Sequence, residues 1–366
     1  MMKLVSAAVA VVVAGCRPGA VQKALDRVCD PGAATCTSLS TFQQHINAAL
    51  DAGHMVGYIT IVGGLPQTTT VGNARLAQDG AEPWDVNVAI NQMSLTKVFT
   101  TIAVLQVIAQ QNLTLDTKLS GFLPSDWTQG ANIDKITIGD LLTHRAGFRE
   151  GPSSDTSYAK LKQQIAEGVT DANRGVASYN NLNFAIFRVV LAAMDGQSIT
   201  SDTDTQKWYI KYMQDHVFTP VGDTDPLCKP VGPHPGMWYP KNPAASIHGN
   251  DGGDWTALCG GGGWNLSAGD TYRVLLSLAG DQRLLTNDQK NTMNTKCLGW
   301  DCSVETQNDY VGKGGDWQDT QSGEVHTYMA LFHKSEITVI VIVNSPPPSS
   351  LESIIQQAYA ASSVPN

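Results

Sequence analysis

Residues 91–110 read NQMSLTKVFTTIAVLQVIAQ, and the segment from Val98 to Ile108 is apolar on nearly every side. A helix that is apolar all round belongs in the interior of a protein, away from solvent. Ser94 follows a short extended segment at residues 88–93 and precedes the apolar run. The sequence therefore predicts a buried central helix that begins at a serine.

The motif Ser94-Leu95-Thr96-Lys97 places a candidate catalytic pair at the start of this helix. Residues three apart on a helix share a face, so the Ser94 hydroxyl and the Lys97 ammonium can meet. The helix N-terminus favours negative charge on the serine oxygen, and a desolvated lysine loses its proton more readily. The pattern predicts Ser94 as a nucleophile and Lys97 as its base.

A second motif of the same spacing, from Ser157 to Lys160, shows that this pattern alone is weak. Ser157 lies in a polar stretch with no buried helix behind it, which favours a serine that caps a surface helix. Capping is also the alternative interpretation of Ser94. The choice depends on what the rest of the chain supplies.

Tyr179-Asn180-Asn181 is the only Tyr-x-Asn in the chain, and it directly precedes an apolar segment. A phenol beside a cation can serve as a general acid or base. The Asn181 amide can position the lysine or a substrate carbonyl. Tyr179 is therefore the third predicted catalytic residue, and Asn181 is a predicted substrate-binding residue.

Lys313-Gly314-Gly315 is expected at the end of a strand. It supplies a second cation and two residues without side chains, which allow a close approach of the backbone. The backbone N–H of the following residue, Asp316, can pair with that of Ser94 as an oxyanion hole. All four residues from Lys313 to Asp316 are predicted substrate-binding or oxyanion-hole residues.

Together these three elements resemble the serine β-lactamase and penicillin-binding-protein superfamily. The closer resemblance is to the branch of class C β-lactamases, D-alanyl-D-alanine carboxypeptidases and family VIII esterases, whose middle element is Tyr-x-Asn. This resemblance covers about residues 40–345, and its motifs follow one another in the same order as in that branch. The further blocks that carry it are Ile90–Leu123, Ile138–Phe148, Asp195–Gln197 with Val217–Gly222, and Gly260–Arg273. The resemblance implies a serine hydrolase that forms an acyl-enzyme and needs neither a cofactor nor a metal.

The third element departs from the pattern of that branch. β-Lactamases and carboxypeptidases usually have Lys-Thr-Gly or His-Thr-Gly, whereas this chain has Gly314 at the threonine position. Loss of a hydrogen bond to a substrate carboxylate costs about 1.5–3 kcal/mol. We therefore expect hydrolysis of an ester or amide rather than dedicated β-lactam turnover, with a β-lactam or peptidoglycan-like substrate still open.

The distribution of predicted elements indicates the fold class. A helix begins near Ser38, strands are expected at both ends of the chain, and helices and loops fill the middle. The expected strands are 55–62, 68–71, 310–313, 327–333 and 337–344, with helices at 158–168, 181–194, 206–218 and 351–361. This order predicts an α+β fold. An antiparallel sheet from both chain ends, flanked by helices, carries a large, mostly helical insertion.

The predicted hydrolase domain covers residues 38–362. Its sheet region is about 38–90 and 305–362, and its helical region is about 91–304. The formal net charge is -9 and no run of lysines or arginines occurs, which argues against nucleic acid as a partner. A small-molecule substrate is the expected partner.

The N-terminus predicts export. Lys3 precedes an apolar run of small residues too short to span a bilayer, as in a signal peptide over residues 1–16. The ending Val-Ala-Gly-Cys resembles a bacterial lipobox, which predicts a lipid anchor at Cys16, with ordinary secretion as the alternative. Residues 17–37 are expected to form a tether.

The six remaining cysteines also fit an oxidising compartment. Their spacing suggests the local pairs Cys29–Cys36, Cys228–Cys259 and Cys297–Cys302. Six cysteines allow 15 connectivities, and buried free thiols are the alternative. A zinc site is disfavoured because no Cys-x-x-Cys or pair of histidines has ligand spacing.

Other residues and another class of protein offer alternatives to this interpretation. Ser267 lies in a sequence that lacks the first glycine of a nucleophile elbow, so an α/β-hydrolase is disfavoured. His144 is interpreted as structural, and His326 as a partly buried strand residue near the site rather than a substrate contact. A penicillin-binding or cell-wall-binding protein with a slow or inactive site is the non-enzymatic alternative.

Overall fold

The computed structural model describes residues 26–29, 34–148, 155–199, 201–302, 310–319, 321–333 and 335–365. The predicted signal peptide, including Cys16, and residues 17–25 of the predicted tether lie outside the described residues. Strands and helices are numbered here in chain order. Helices and antiparallel strands combine, which confirms the predicted α+β class.

The main sheet takes strands from both ends of the chain. Its members are β3 (Gly57–Val62), β4 (Thr68–Arg75), β5 (Glu82–Pro83), β8 (Tyr310–Asp319), β9 (Gly323–Phe332) and β10 (Ile337–Val343). They lie in the order β5-β4-β3-β10-β9-β8, with antiparallel neighbours. The predicted sheet built from both chain ends is confirmed.

β10 is the hydrophobic centre of this sheet, and all seven of its residues are buried. Its run of isoleucine and valine suits a strand that is covered on both faces. β10 pairs with β3, and Ile340 lies opposite Ile61. This pairing unites the N-terminal and C-terminal halves of the sheet.

Two helices cover one face of the sheet, α1 (Leu39–Ala52) and α10 (Leu351–Ala360). Ser38 caps α1 by accepting a hydrogen bond from the backbone N–H of Thr41. Phe42, Ile46 and Leu50 recur every fourth residue and are fully buried. The predicted first helix is confirmed, including its cap.

The helical region packs on the opposite face. Its helices are α2 (Thr96–Gln110), α3 (Ile138–Leu142), α4 (Tyr158–Glu167), α5 (Leu182–Ala185), α6 (Phe187–Met194), α7 (Asp202–Met213), α8 (Ala268–Gly280) and α9 (Asn287–Thr295). By length and composition the segment Met93–Gln110 could span a membrane, but 72% of it is buried inside the protein. It is the predicted central helix of the core. A short ladder of β6 (Ile90–Asn91) and β7 (Asn265–Leu266) precedes α2 and α8.

Part of the expected tether is ordered as strands. β1 (Arg27–Cys29) and β2 (Thr35–Ser38) form a small sheet with β11 (Ser363–Pro365). The Cys29–Cys36 disulfide joins β1 to β2. The composition of residues 17–37 predicts a linker, because the pairing of β2 with the distant β11 leaves no signal in the local sequence.

The other two predicted disulfides, Cys228–Cys259 and Cys297–Cys302, are also formed. All three predicted pairings are therefore confirmed. Each one closes a local segment of the chain. Two of them stabilise loops of the helical region.

Several elements have bounds that differ from the prediction. β8 continues through two glycines to Asp319 instead of ending at Lys313, because it pairs with β9 along its whole length. The helix expected at 181–194 is divided into α5 and α6. The helix expected at 206–218 begins earlier, as α7, and ends in a π-helical turn at Gln214–Phe218.

Candidate active site

Ser94 lies in a tight turn, Met93–Leu95, that leads directly into α2. Met93 has a φ of 48°, a left-handed conformation that a residue with a side chain rarely adopts. The side chain of Asn91 accepts a hydrogen bond of 2.9 Å from the Met93 N–H and so supports this conformation. The turn presents Ser94 at the surface of a cavity, with the buried helix directly behind it.

The Ser94 hydroxyl contacts the two predicted partners at once. Its Oγ lies 2.9 Å from Lys97 Nζ and 2.8 Å from the Tyr179 hydroxyl. Lys97 comes from the same helix, whereas Tyr179 precedes α5 and is 85 residues away along the chain. The fold therefore assembles the predicted trio within hydrogen-bond distance.

Lys97 is completely buried. Its ammonium donates to Ser94 Oγ, to Asn181 Oδ1 at 2.7 Å and to the backbone carbonyl of Gly261. Burial lowers the pKa of Lys97; the Tyr179 phenol opposes this shift, and the charge of Lys313 adds to it. A lysine in this setting gives up its proton more easily than one in water.

The Tyr179 hydroxyl also lies in a cationic environment. Lys97 Nζ and Lys313 Nζ are each 5.1 Å from the centre of its ring. Burial by itself raises the pKa of this phenol, but the two positive charges outweigh burial, and the net pKa is lowered. Deprotonation of Tyr179 is therefore easier than that of an ordinary tyrosine.

β8 passes directly beside Ser94 at Gly315. A Cβ atom added to Gly315 would lie 2.9 Å from the Ser94 backbone nitrogen and 2.7 Å from the Gln92 carbonyl oxygen. Thr327 ties the three segments together, because its hydroxyl donates to the carbonyls of Gln92 and Gly315. Only glycine allows this approach, which brings the next residue, Asp316, to the cavity that Ser94 lines.

Lys313 is buried and forms an ion pair with Asp301. The second oxygen of the same carboxylate accepts a hydrogen bond of 3.1 Å from the Gly314 N–H. Asp301 therefore binds two consecutive residues of the third motif. The sequence motifs give no indication of this contact.

His326 is buried on β9 between two carboxylates. Its Nδ1 lies 2.7 Å from Asp316 Oδ1, and its Nε2 lies 3.0 Å from Glu324 Oε2. Burial lowers the pKa of this imidazole, but the two hydrogen bonds to carboxylates outweigh burial, and the net pKa is raised. His326 anchors the side chain of Asp316 at the edge of the site.

Ser157, Ser267 and His144, which offer alternatives to the predicted site, have contacts that explain them as structural residues. Ser157 accepts a hydrogen bond from the Lys160 N–H and caps α4, and Ser267 caps α8 in the same way. His144 packs against the Tyr179 ring and accepts from the Asn180 N–H at 3.3 Å. Burial and the nearby lysines lower the pKa of His144 to about 3, which keeps it neutral.

Two cavities meet the site. One, of about 160 Å³, is lined by Ser94, Asp316 and two tryptophans, Trp255 and Trp317, whose rings pack edge to face. The other, of about 390 Å³, lies on the Tyr179 side. Within the described part of the chain, no group of three or more His, Cys, Asp or Glu side chains could hold a metal ion.

The arrangement agrees with a comparison against known families, in which a family model described as Beta-lactamase matches residues 42–361. The chain belongs to the beta-lactamase family. This membership confirms the resemblance found in the sequence.

Solved structures from this family share the fold. The penicillin-binding protein homologue from Pyrococcus abyssi, described as octameric, is similar with a TM-score of 0.69 and 15% identity, over 87% of this chain and 76% of that one. A class C beta lactamase from Rhodobacter sphaeroides is similar with a TM-score of 0.64 and 15% identity, over 88% and 99%. At these identities the likeness shows the fold alone.

Among curated proteins, penicillin-binding protein 4 from Amycolatopsis lactamdurans is 28% identical over 136 residues. The match covers 35% of this chain and 33% of that protein. The aligned segment therefore spans about a third of the relative's length.

Proposed function

We propose that this member of the beta-lactamase family is a serine hydrolase that acts on an ester or amide through an acyl-enzyme. The observation that carries the proposal is the position of Ser94 Oγ, within 2.9 Å of Lys97 Nζ and 2.8 Å of the Tyr179 hydroxyl. A hydroxyl becomes a nucleophile when a base within hydrogen-bond distance accepts its proton. Both partners have lowered pKa values.

In the proposed acylation step, the neutral Lys97 amine takes the proton of Ser94 as its Oγ attacks the substrate carbonyl, while the Tyr179 hydroxyl stays hydrogen-bonded to the same Oγ. The N–H groups of Ser94 and Asp316 stabilise the oxyanion; this role is supported by the close approach of β8 at Gly315. Asn181 accepts a hydrogen bond from Lys97 Nζ and holds it in place.

The proposed leaving-group step returns the proton. Tyr179 protonates the departing oxygen or nitrogen, and the nearby charge of Lys313 favours the phenolate that results. Water then attacks the acyl group and gives a proton to the Tyr179 phenolate, and the Lys97 ammonium returns its proton to Ser94 Oγ as the acyl group leaves. Apart from the substrate and this water, the proposed steps use only groups of this chain.

Removal of the nucleophile tests this function. Ser94→Ala should abolish hydrolysis of a chromogenic short-chain ester, because the variant lacks the proposed nucleophile. Ser157→Ala is the matched control, since it changes the other Ser-x-x-Lys motif and affects only a helix cap. A Ser94→Ala protein that keeps more than about a few per cent of the activity would refute the assignment.

A penicillin-binding or cell-wall-binding protein with a slow site is the second candidate. The altered third motif, with Gly314 at the usual threonine position, keeps this candidate open, because the motif departs from the pattern of the active enzymes. Mass spectrometry after incubation with a β-lactam separates the candidates. A stable adduct on Ser94 without turnover of any ester would support the binding protein.

We also propose that the protein is exported, with residues 1–16 as its signal peptide and Cys16 as a lipid anchor. The three disulfides support an oxidising compartment. We propose 38–362 as the hydrolase domain. Cys16→Ser should release the protein from the membrane fraction of the producing cell if the anchor exists.

A further inference from the structure

The Asp301 carboxylate accepts hydrogen bonds from two donors beside the candidate active site. One carboxylate oxygen pairs with the buried Lys313 ammonium, and the other accepts the Gly314 N–H at 3.1 Å. Both donors belong to the third motif, which runs beside Ser94. A carboxylate of this chain therefore already satisfies the cation and the backbone N–H that an incoming carboxylate would need.

The position of Asp301 is fixed by its backbone. Its N–H donates to the Gly312 carbonyl at 2.8 Å, which attaches this residue to β8. The Cys297–Cys302 disulfide closes the short loop that contains it. Asp301 is therefore held against Lys313 by covalent and backbone contacts.

Asp301 also lines the cleft on the Tyr179 side of the site. Its side chain is 41% exposed there, and Glu352 lines the same cleft. Arg145 and Lys296 line a neighbouring cavity that Tyr179 does not line. A leaving group that accepts its proton from Tyr179 therefore enters a cleft lined by two carboxylates, and Lys313 is already paired with one of them, Asp301.

We propose that Asp301 is a specificity-determining residue that excludes substrates with a carboxylate on the leaving group and selects esters or amides with an uncharged or cationic one. This inference rests on the proposed hydrolase function. An anionic leaving group would either have to displace Asp301 from Lys313 or lie unpaired beside the Asp301 carboxylate, and like charges in contact are unfavourable. An uncharged leaving group meets neither of these costs.

Two esters that differ only in charge test this proposal. The substrates are 3-carboxyphenyl butanoate and 3-carbamoylphenyl butanoate, which have the same acyl group and nearly the same size. The wild-type protein at neutral pH should hydrolyse the carbamoyl ester with a kcat/KM about tenfold or more above that of the carboxyl ester. This comparison needs no variant.

Asp301→Asn removes the charge and keeps the shape of the side chain. The ratio of the two kcat/KM values should fall by about tenfold, chiefly through faster reaction of the carboxyl ester, because Lys313 becomes available to it. Asp301→Ser should change the ratio in the same direction. Glu352→Gln is the matched control: it removes one charge from the same cleft without freeing Lys313, and its ratio should change by less than about threefold.

The outcomes separate the two proposals. Equal rates on both esters in the wild type would overturn the specificity role, as would equal shifts in Asp301→Asn and Glu352→Gln. If neither ester reacts and a fluorophosphonate fails to label Ser94, the hydrolase function itself fails. Labelling of Ser94 in each variant confirms that the site has folded.

Discussion

Gly314 and Gly315 are neighbours on β8, but the space around them differs. A Cβ on Gly315 would meet the backbone of Gln92 and Ser94 at under 3.0 Å, whereas the nearest atom to a Cβ on Gly314 is 3.6 Å away, in Tyr328. Contacts under 3.0 Å force a shift, and those of 3.6 Å are ordinary. The absence of a side chain at Gly315 therefore allows β8 to approach Ser94 this closely.

We expect Gly315→Ala to displace β8 from Ser94 and to reduce ester hydrolysis by about a hundredfold, as displacements of 1 Å do in active sites. Gly314→Ala is the matched control and should lose less than about tenfold, because the added methyl group fits. Steady-state kinetics on the chromogenic ester gives both values. Similar losses in the two variants would contradict the steric explanation.

The sequence predicts those candidate site residues that belong to short motifs. Ser94, Lys97, Tyr179 and Asn181 were each identified and lie together. It missed Asp301, because that contact depends on how a disulfide loop packs against β8. The glycine run at 260–263 belongs to a block that carries the family resemblance, but the Gly261 carbonyl that binds Lys97 leaves no signal in the side-chain pattern.

At the scale of single elements, the β8–β9 hairpin carries a charge network that depends on pH. His326 bridges Asp316 on β8 and Glu324 on β9. Its pKa in the folded protein is raised above the ordinary value of 6.5. The stability it contributes is therefore fully present below about pH 6.5 and is lost as the pH rises through the raised folded value.

His326→Gln should lower the free energy of unfolding by about 1–2 kcal/mol near pH 6, and by less as the pH increases toward 9. Urea denaturation across this range measures the difference from wild type. A difference that is constant or grows with pH would refute the network.

His144 should show the opposite pH dependence of stability and therefore serves as a control for His326. Its pKa is lowered to about 3 in the folded protein, so the unfolded chain binds more protons below about pH 6.5. The wild type should therefore lose stability relative to His144→Gln as the pH falls below that value. The two histidines should thus show pH dependences of opposite sign.

The elements themselves were predictable to different degrees. α1 was predicted with its cap, since Ser38, the fourfold spacing of its apolar residues and Gly53 are all local signals. β8 was predicted too short, because glycines at 314 and 315 disfavour a strand that only its pairing with β9 stabilises. β1 and β2 were missed because β1 pairs only with β2, and the other partner of β2, β11, lies far away along the chain.

At the scale of the whole molecule, the Cys228–Cys259 disulfide restrains a long loop above the site. The closed segment contains Trp255 and Leu258, which line the cavity beside Ser94. The Cys297–Cys302 disulfide closes a much shorter segment, with a sequence separation of 5 against 31. A longer closed loop removes more entropy from the unfolded chain.

Replacement of Cys228 and Cys259 by serine should lower the free energy of unfolding by about 4 kcal/mol, and replacement of Cys297 and Cys302 by about 2 kcal/mol. The second double variant is the control for loss of a disulfide as such. Urea denaturation of both under non-reducing conditions gives the two values. A larger loss from the shorter loop would contradict this ranking.

The order of strands in the main sheet also governs when the protein can fold. β3 and β4 are made early in synthesis, but β10, the second neighbour of β3, is made only after the whole helical region, at residues 337–343. Until then the N-terminal half of the sheet is a two-stranded hairpin with the two-residue β5 at its edge, and such a small sheet is marginal in water. The main sheet can therefore close only after residues 337–343 have been made. A sheet that closes this late leaves its N-terminal strands open to threading through a translocation channel, which agrees with the proposed export.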